Sequence, residues 1–152
     1  MKFLIIIPAH NEQDNLPFTL DSLKNQRHTD FTVVVVNDGS TDQTAEVIQK
    51  YTTEDSRIET INLEKSAHQP GSKVVNAFNQ GLKSKNSNDF DIICKFDADI
   101  ILDENYLSTI NKAFVENPTY GLVGGLLFVE KNDTWVYEGN SNKNHVRGPM
   151  KA

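Results

Sequence analysis

Two carboxylates one residue apart, Asp97 and Asp99, close the stretch Asp91-Ile-Ile-Cys-Lys-Phe-Asp-Ala-Asp99. The apolar run before them reads as a buried strand that would deliver both acids to its C-terminal edge. On an extended backbone residues i and i+2 point to the same side, so the two side chains could face one cleft and share a divalent cation. Unpaired, they would repel each other. A hard cation held by one or two carboxylates keeps positions open for phosphate oxygens, which makes a nucleoside diphosphate the natural ligand. The plainer reading of the same residues is a turn begun by Asp97, with Asp99 as a solvated loop acid.

Hydrophobic periodicity defines the elements that must position these acids. Residues 3–7 are uniformly apolar, as in a strand covered on both faces, and Pro8-Ala-His-Asn-Glu12 follows as a loop. A helix opens at Asn15-Leu-Pro17 with Leu16, Leu20 and Leu23 on one face. Residues 31–36 repeat the strand pattern and end in Asn37-Asp-Gly-Ser-Thr-Asp42, where Ser40 and Gln43 have capping-box spacing. The next helix would turn Ala45, Ile48 and Tyr51 or Thr52 to the sheet. A weaker strand pattern spans 57–63, and a helix over 73–83 carries Val75, Phe78 and Leu82. After the acidic strand, a helix starting at 103–106 places Leu107, Ile110 and Phe114 inward and stops near Pro118. Residues 120–129 read as a further strand, loosened at Gly124 and Gly125.

Strand and helix alternate, which predicts a mostly parallel sheet with helices on both faces: an α/β, three-layer α/β/α sandwich. Ligands of such sheets bind outside the carboxyl ends of the strands. His10, Asn11 and Glu12 follow the first strand, Asp38, Gly39 and Ser40 the second, and Asp97 and Asp99 the fourth. Polar residues from three strands therefore converge on one edge.

A chain of 152 residues with net charge −6 suits one globular domain and lacks the basic stripe that nucleic acid requires. Its single cysteine, Cys94, excludes a disulfide within the chain and suits a reducing compartment. No apolar run reaches the length of a signal-peptide core or a membrane span, so a cytoplasmic location is expected. Neither Gly-x-Gly-x-x-Gly nor Gly-x-x-x-x-Gly-Lys-Ser/Thr occurs, which leaves phosphate to a metal ion. Asp38, in a glycine-containing turn, could accept hydrogen bonds from a base ring or a ribose hydroxyl, or serve as a turn-former or helix cap. Lys73 opens a helix where a cation suits a diphosphate, or is a surface charge; Asn76 lies one turn on and could share its face.

Pro8-Ala-His-Asn-Glu12, Val36-Asn-Asp-Gly-Ser-Thr-Asp42, Gly71-Ser-Lys-Val-Val-Asn-Ala-Phe-Asn-Gln-Gly-Leu82 and Phe96-Asp-Ala-Asp99 resemble, in order and spacing, the nucleotide-binding half of family 2 glycosyltransferases. The resemblance covers roughly the first two thirds of the chain and rests on motifs that agree in sequence order. It implies the Rossmann-like GT-A fold, an inverting sugar transfer, and Mg²⁺ or Mn²⁺ as cofactor. By it, Pro8, Ala9, His10, Asn11 and Glu12 look like nucleoside-binding residues together with Asp38 and Ser40. Asp97 looks like the member nearer the ribose or the metal's water shell, and Asp99 like the direct metal ligand. Lys73 falls where the family often has a basic residue before a pair of small residues; here that pair is Val74-Val75.

The expected partners are a nucleoside diphosphate sugar, with uridine favoured, and a glycan or lipid-linked acceptor, with the membrane periphery reached through a longer protein. The resemblance also implies a donor domain over residues 1–129 and the start of an acceptor-side region over 130–152. Arg147-Gly148 resembles the entry to that region, so the catalytic base and the acceptor pocket are expected past Ala152. No acid pair follows Asp103-Glu104, and Glu130, Asp133 and Glu138 read as solvated loop charges. Trp135 and Tyr137 would form a sugar platform or cover the core, and His145 would join the metal shell or sit in solvent. Two other functions fit the same edge: a sugar-phosphate nucleotidyltransferase and a non-catalytic nucleotide-sugar-binding module.

Overall fold

The computed structural model describes residues 1–64, 72–138 and 150–151. In chain order the elements are β1 (Phe3–Ala9), α1 (Leu16–Lys24), β2 (Phe31–Asp38), α2 (Thr44–Glu54), β3 (Ile58–Leu63), α3 (Ser72–Lys83), β4 (Ile92–Phe96), α4 (Tyr106–Glu116), β5 (Phe128–Lys131), β6 (Thr134–Tyr137) and β7 (Met150–Lys151). The main sheet has the order β3-β2-β1-β4-β7, with its first four strands parallel and β7 antiparallel to β4. This is the expected mostly parallel α/β sandwich. The two residues of β7 complete its edge, where the sequence carries no strand signal.

β1 is the centre. Phe3 through Ala9 pair with Phe31 through Asn37 on one side, and Phe3 through Ile6 pair with Ile92 through Lys95 on the other. All five residues from Phe3 to Ile7 have 0% exposure, because both faces of the strand are covered. Phe3, Ile5 and Ile7, with Val33, Val35, Cys94 and Phe96, pack against Leu16, Leu20 and Leu23 of α1, Ile48 and Tyr51 of α2, and Leu107 and Ile110 of α4. The alternate residues Leu4, Ile6, Val34 and Val36 pack against α3 through Ala77, Phe78 and Leu82. The period-2 alternation of a strand thus feeds two separate cores. Each fully buried side chain of this size contributes about 1.5–3 kcal/mol of transfer free energy, which makes β1 the largest single apolar contribution to the sheet.

Several local expectations are corrected by packing. Residues 120–127 form no strand; a hairpin of β5 and β6 begins only at Phe128, turned by Asn132 and Asp133, both with positive φ. Two left-handed residues in a two-residue loop match the right-handed twist of the flanking strands. On α2 the inward positions are Thr44, Ile48 and Tyr51, while Ala45 is exposed. The Ser40/Gln43 capping box does not form: the helix starts at Thr44, whose N–H donates to the Asp42 carboxylate at 3.0 Å. On α3, Val75 is 59% exposed, and the face toward the sheet is set by Ala77, Phe78 and Gly81.

Gly81 marks the closest approach of α3 to the sheet. A Cβ there would lie 2.6 Å from Ile6 Cγ2 and 2.9 Å from Val36 Cγ2. Both are branches on Cβ-branched side chains with little rotamer freedom to yield. Gly81→Ala gains about 1 kcal/mol of helix propensity and meets overpacking of about 1–3 kcal/mol; the expected net result is a lower urea midpoint. A midpoint that rises would show that α3 can move off the sheet at no cost.

Burial raises the Cys94 thiol from its ordinary value of 9.0 to about 12. The fold favours the neutral thiol, so its contribution is fully present below pH 9 and is lost as pH rises toward 12. Folded protein at pH 8 is expected to resist a thiol reagent until denaturant unfolds it, and the alkaline fall in stability is expected to be smaller in Cys94→Ala.

Candidate functional site

The chain passes from β1 to β2 to β3 in one direction and returns to place β4 on the other side of β1. The strand order therefore reverses between β1 and β4, the place where such sheets leave a crevice. A cleft of about 230 Å³ lies there. Pro8, Ala9, His10 and Glu12 line it after β1, Asp38 at the end of β2, Asp97, Ala98 and Asp99 after β4, and Val74 and Ala77 from α3.

Side chains of the first two loops hold them together. Asn11 adopts φ 57°, a left-handed conformation that asparagine tolerates. Its N–H donates to Ser40 Oγ at 3.1 Å, and its Oδ1 accepts from the Thr41 N–H at 2.7 Å. The Glu12 N–H donates to Thr44 Oγ1 at 2.8 Å, and the Gln43 N–H to Gln13 Oε1 at 2.9 Å. Asp42 accepts from Thr44 and from the Gln13 N–H. Burial, the largest influence on Asp42, pushes its carboxyl up, but the Thr44 and Gln13 hydrogen bonds together hold it below the ordinary range. His10 Nδ1 lies 2.7 Å from the Asp38 carbonyl oxygen, so a proton on that nitrogen donates across the two strand ends. Asp38 itself is only 9% exposed.

The two acids after β4 reach the cleft by a different route from the extended geometry expected. The strand ends at Phe96, and Ala98 and Asp99 form a turn. Thr19 of α1 holds that turn: its fully buried hydroxyl donates to Ala98 O at 2.8 Å and accepts from the Ile100 N–H at 3.1 Å. Asp97 is half-buried and its Oδ1 is paired with the Lys95 ammonium, while Asp99 is exposed.

Among the residues expected at the site, Pro8, Ala9, His10, Glu12, Asp38, Asp97 and Asp99 come together in this cleft. Asn11 and Ser40 do not line it; they bond to each other. Lys73 is half-buried and Asn76 exposed on α3, and neither lines the cleft, although Val74 and Ala77 of the same helix do. His145, Arg147 and Gly148 lie outside the described residues.

Among the described residues no group of three or more His, Cys, Asp and Glu side chains is arranged to hold a metal ion. A cage of protein ligands is not what Mg²⁺ requires, since it is commonly held by one or two carboxylates, waters and substrate phosphates. Asp97 and Asp99 fit that kind of site, for they are hard oxygen donors on one turn, opening into one cleft.

A second cavity, of about 630 Å³, adjoins the first through Asp99 and runs between the residues after β4, α4 and the hairpin. Ile101, Leu126, Phe128 and Trp135 form apolar walls. Tyr106 fixes its inner side by accepting a hydrogen bond from the Gly125 N–H at 3.2 Å, and burial pushes the Tyr106 phenol up to about 12. Trp135 and Tyr137 part company: the indole lines the cavity, whereas Tyr137 packs edge-on against Phe128 with ring centroids 5.8 Å apart. Glu130 and Asp133 are exposed on the hairpin, and Glu138 is half-buried beyond it.

Sequence reasoning missed Thr19, Thr44 and Lys95. Two of them left a signal: Thr19 sits three residues after Leu16 within the apolar stripe, where a buried hydroxyl must find partners, and Lys95 is the one charge in an otherwise apolar strand.

A mostly parallel sheet with its crevice at the β1/β4 reversal, and acids on the strand ends, defines a GT-A-type α/β domain. The family model for Glycosyl transferase family 2 matches residues 4–150, and the chain belongs to that family. It is 29% identical over 136 residues to Glycosyltransferase GlyA of Streptococcus pneumoniae serotype 4, covering 90% of this chain and 18% of that protein. It is 28% identical over 120 residues to the Poly-beta-1,6-N-acetyl-D-glucosamine synthase of Staphylococcus aureus strain MSSA476, covering 79% of this chain and 27% of that one. The chain thus spans about a quarter or less of the length of these relatives. Among solved structures, S. aureus TarS 1-349 in complex with UDP-GlcNAc superposes with a TM-score of 0.66 at 28% identity, over 78% of this chain and 32% of that one. The mannosyltransferase PcManGT of Pyrobaculum calidifontis, in complex with GDP-Man and Mn²⁺, gives 0.66 over 80% of this chain and 34% of its own, and at 22% identity that likeness concerns the fold. No helix among the described residues is long and apolar enough to cross a membrane.

Thr19→Val keeps the shape of the side chain and strands Ala98 O and the Ile100 N–H in the interior. The expected loss is about 1–3 kcal/mol in denaturant unfolding, with Thr19→Ser close to the unaltered protein. Equal midpoints for all three proteins would mean that Thr19 does not hold the acidic turn.

Proposed function

We propose that this chain is the donor-binding part of an inverting, metal-dependent glycosyltransferase that moves a sugar from a nucleoside diphosphate sugar to an acceptor hydroxyl. The observation that supports it is the single cleft shared by the ends of three strands, which sets Asp38 on one side and Asp97 with Asp99 on another. In this reading Pro8, Ala9, His10 and Glu12 form the wall beside the nucleoside. Asp38 accepts hydrogen bonds from the base or the ribose. Asn11 and Ser40 act by bracing the loops, and Lys73 and Asn76 lie in the N-terminal half of α3 beside the cleft-lining Val74 and Ala77. Uridine is favoured because a relative at 28% identity is solved with UDP-GlcNAc.

Asp97 and Asp99 would hold Mg²⁺ or Mn²⁺, and that ion, when bound, neutralises charge on the departing diphosphate. The acceptor oxygen forms a bond to the anomeric carbon from the face opposite the leaving group. The bond from that carbon to the diphosphate oxygen breaks, and the hydroxyl proton passes to a general base. Glu130, Asp133 and Glu138 line neither the cleft nor the adjoining cavity. The apolar cavity that adjoins the cleft at Asp99, walled by residues between 99 and 128 and by the Trp135 indole, suits the near end of an acceptor, a glycan either free or lipid-linked, whose remaining contacts are expected past Ala152. We read residues 1–129 as the donor domain and 130–152 as the start of the acceptor side.

Calorimetric titration with UDP, with and without Mn²⁺, tests the reading. Binding is expected to need the cation and to weaken at least about tenfold in Asp38→Ala and in Asp99→Asn. If no nucleoside diphosphate binds with cation present, the proposal fails. Release of pyrophosphate from a nucleoside triphosphate and a sugar 1-phosphate would instead identify a nucleotidyltransferase.

A further inference from the structure

Lys95 is out of place by composition. β4 reads Ile-Ile-Cys-Lys-Phe, and Lys95 lies in its interior, in register with Ile6 of β1 on one side and Lys151 of β7 on the other. Its side chain is only 22% accessible, and a half-buried ammonium group is costly unless a counter-charge meets it. Two residues on, its Nζ pairs with Asp97 Oδ1, with side-chain accessibilities of 22% and 35%. The pair is screened less than one at the open surface. One acid of the turn thus carries an internal cation, while Asp99 is exposed.

We propose that Lys95 is a positioning residue whose ammonium acts as a resident cation on Asp97, holding that carboxylate at the cleft and competing with a divalent ion for it. The inference rests on the cation site read above at Asp97 and Asp99. An ammonium and a divalent ion seek the same oxygen, and like charges a few ångströms apart repel strongly in a partly buried site. The lysine therefore lowers the affinity of the empty cleft for a free cation. A nucleoside diphosphate brings negative charge of its own and offsets that repulsion, so the cation is taken up together with the nucleotide. The lysine also keeps Asp97 and Asp99 from facing each other as two uncompensated charges when no ligand is bound.

The test is Mn²⁺ binding by the whole chain, read from the electron paramagnetic resonance signal of free Mn²⁺, with and without UDP. Four proteins are compared: unaltered, Lys95→Gln, Lys95→Met and Lys95→Arg, each checked for folding by thermal melting. Without nucleotide, Lys95→Gln and Lys95→Met are expected to bind Mn²⁺ on the order of tenfold tighter than the unaltered protein, and Lys95→Arg about equally. Lys95→Gln keeps a hydrogen-bond donor for Asp97 and serves if the methionine variant does not fold. Unchanged or weaker Mn²⁺ binding in folded Lys95→Gln overturns the proposal, as does tighter binding in Lys95→Arg, since the effect would then not be one of charge. Failure of the cation site itself looks different: no Mn²⁺ is bound by any of the four proteins, even with UDP.

Discussion

Everything at the candidate site depends on one strand being hydrogen-bonded on both edges and buried on both faces. Because β1 takes β2 on one side and β4 on the other, with the chain running to opposite hands, its C-terminal loop opens at the point where the strand order reverses. The apolar run has no polar alternation to define its register, since a slip of one residue would exchange Phe3, Ile5 and Ile7 for Leu4 and Ile6 and leave both faces apolar. Volume and the polar ends of the run take over that task. Among the described residues three helices cover one face and α3 covers the other at the close approach of Gly81, so the two faces are not interchangeable.

The polar residues near the cleft divide into those bonded within the protein and those that line the opening, and His10 does both, with its Nδ1 on the Asp38 carbonyl. Asn11, Gln13, Ser40, Asp42 and Thr44 bind one another or the backbone, and Thr19 binds the turn after β4. Their role is preorganisation: loops tied in advance lose less entropy when a ligand arrives. His10, Asp38 and Asp99 line the cleft itself. The division follows from geometry, because hydroxyls and amides beside unpaired backbone N–H groups are captured by them.

One wall departs from the family pattern that the motifs resemble. Where two small residues are common, this chain has Val74 and Val75, both largely exposed, with Val74 against the cleft. The α3 side of the cleft is accordingly apolar, and among its lining residues the charge comes from Glu12, Asp38, Asp97 and Asp99. Lys95, paired with Asp97, brings a positive charge to the acidic turn.

How much was legible beforehand follows the range of the forces involved. The sequence by itself determined β1 to β4, the four helices, the parallel sheet and the convergence of three strand ends. Continuous apolar runs, helical periodicity and the handedness of crossovers are local or topological properties that survive without coordinates. Residues 120–127, the failed capping box and the exposed Val75 were not legible, because each turns on which neighbour wins a contact. Only the tertiary structure decided that the Asp97–Asp99 segment is a turn held by a threonine from α1, that Asn11 binds Ser40, and that a lysine inside β4 neutralises Asp97. These are pairings across 79, 29 and two residues, respectively. Residues i and i+2 share a face of an extended strand, so the shortest of them was open to view, but whether two such side chains meet depends on ångström placement that periodicity does not carry.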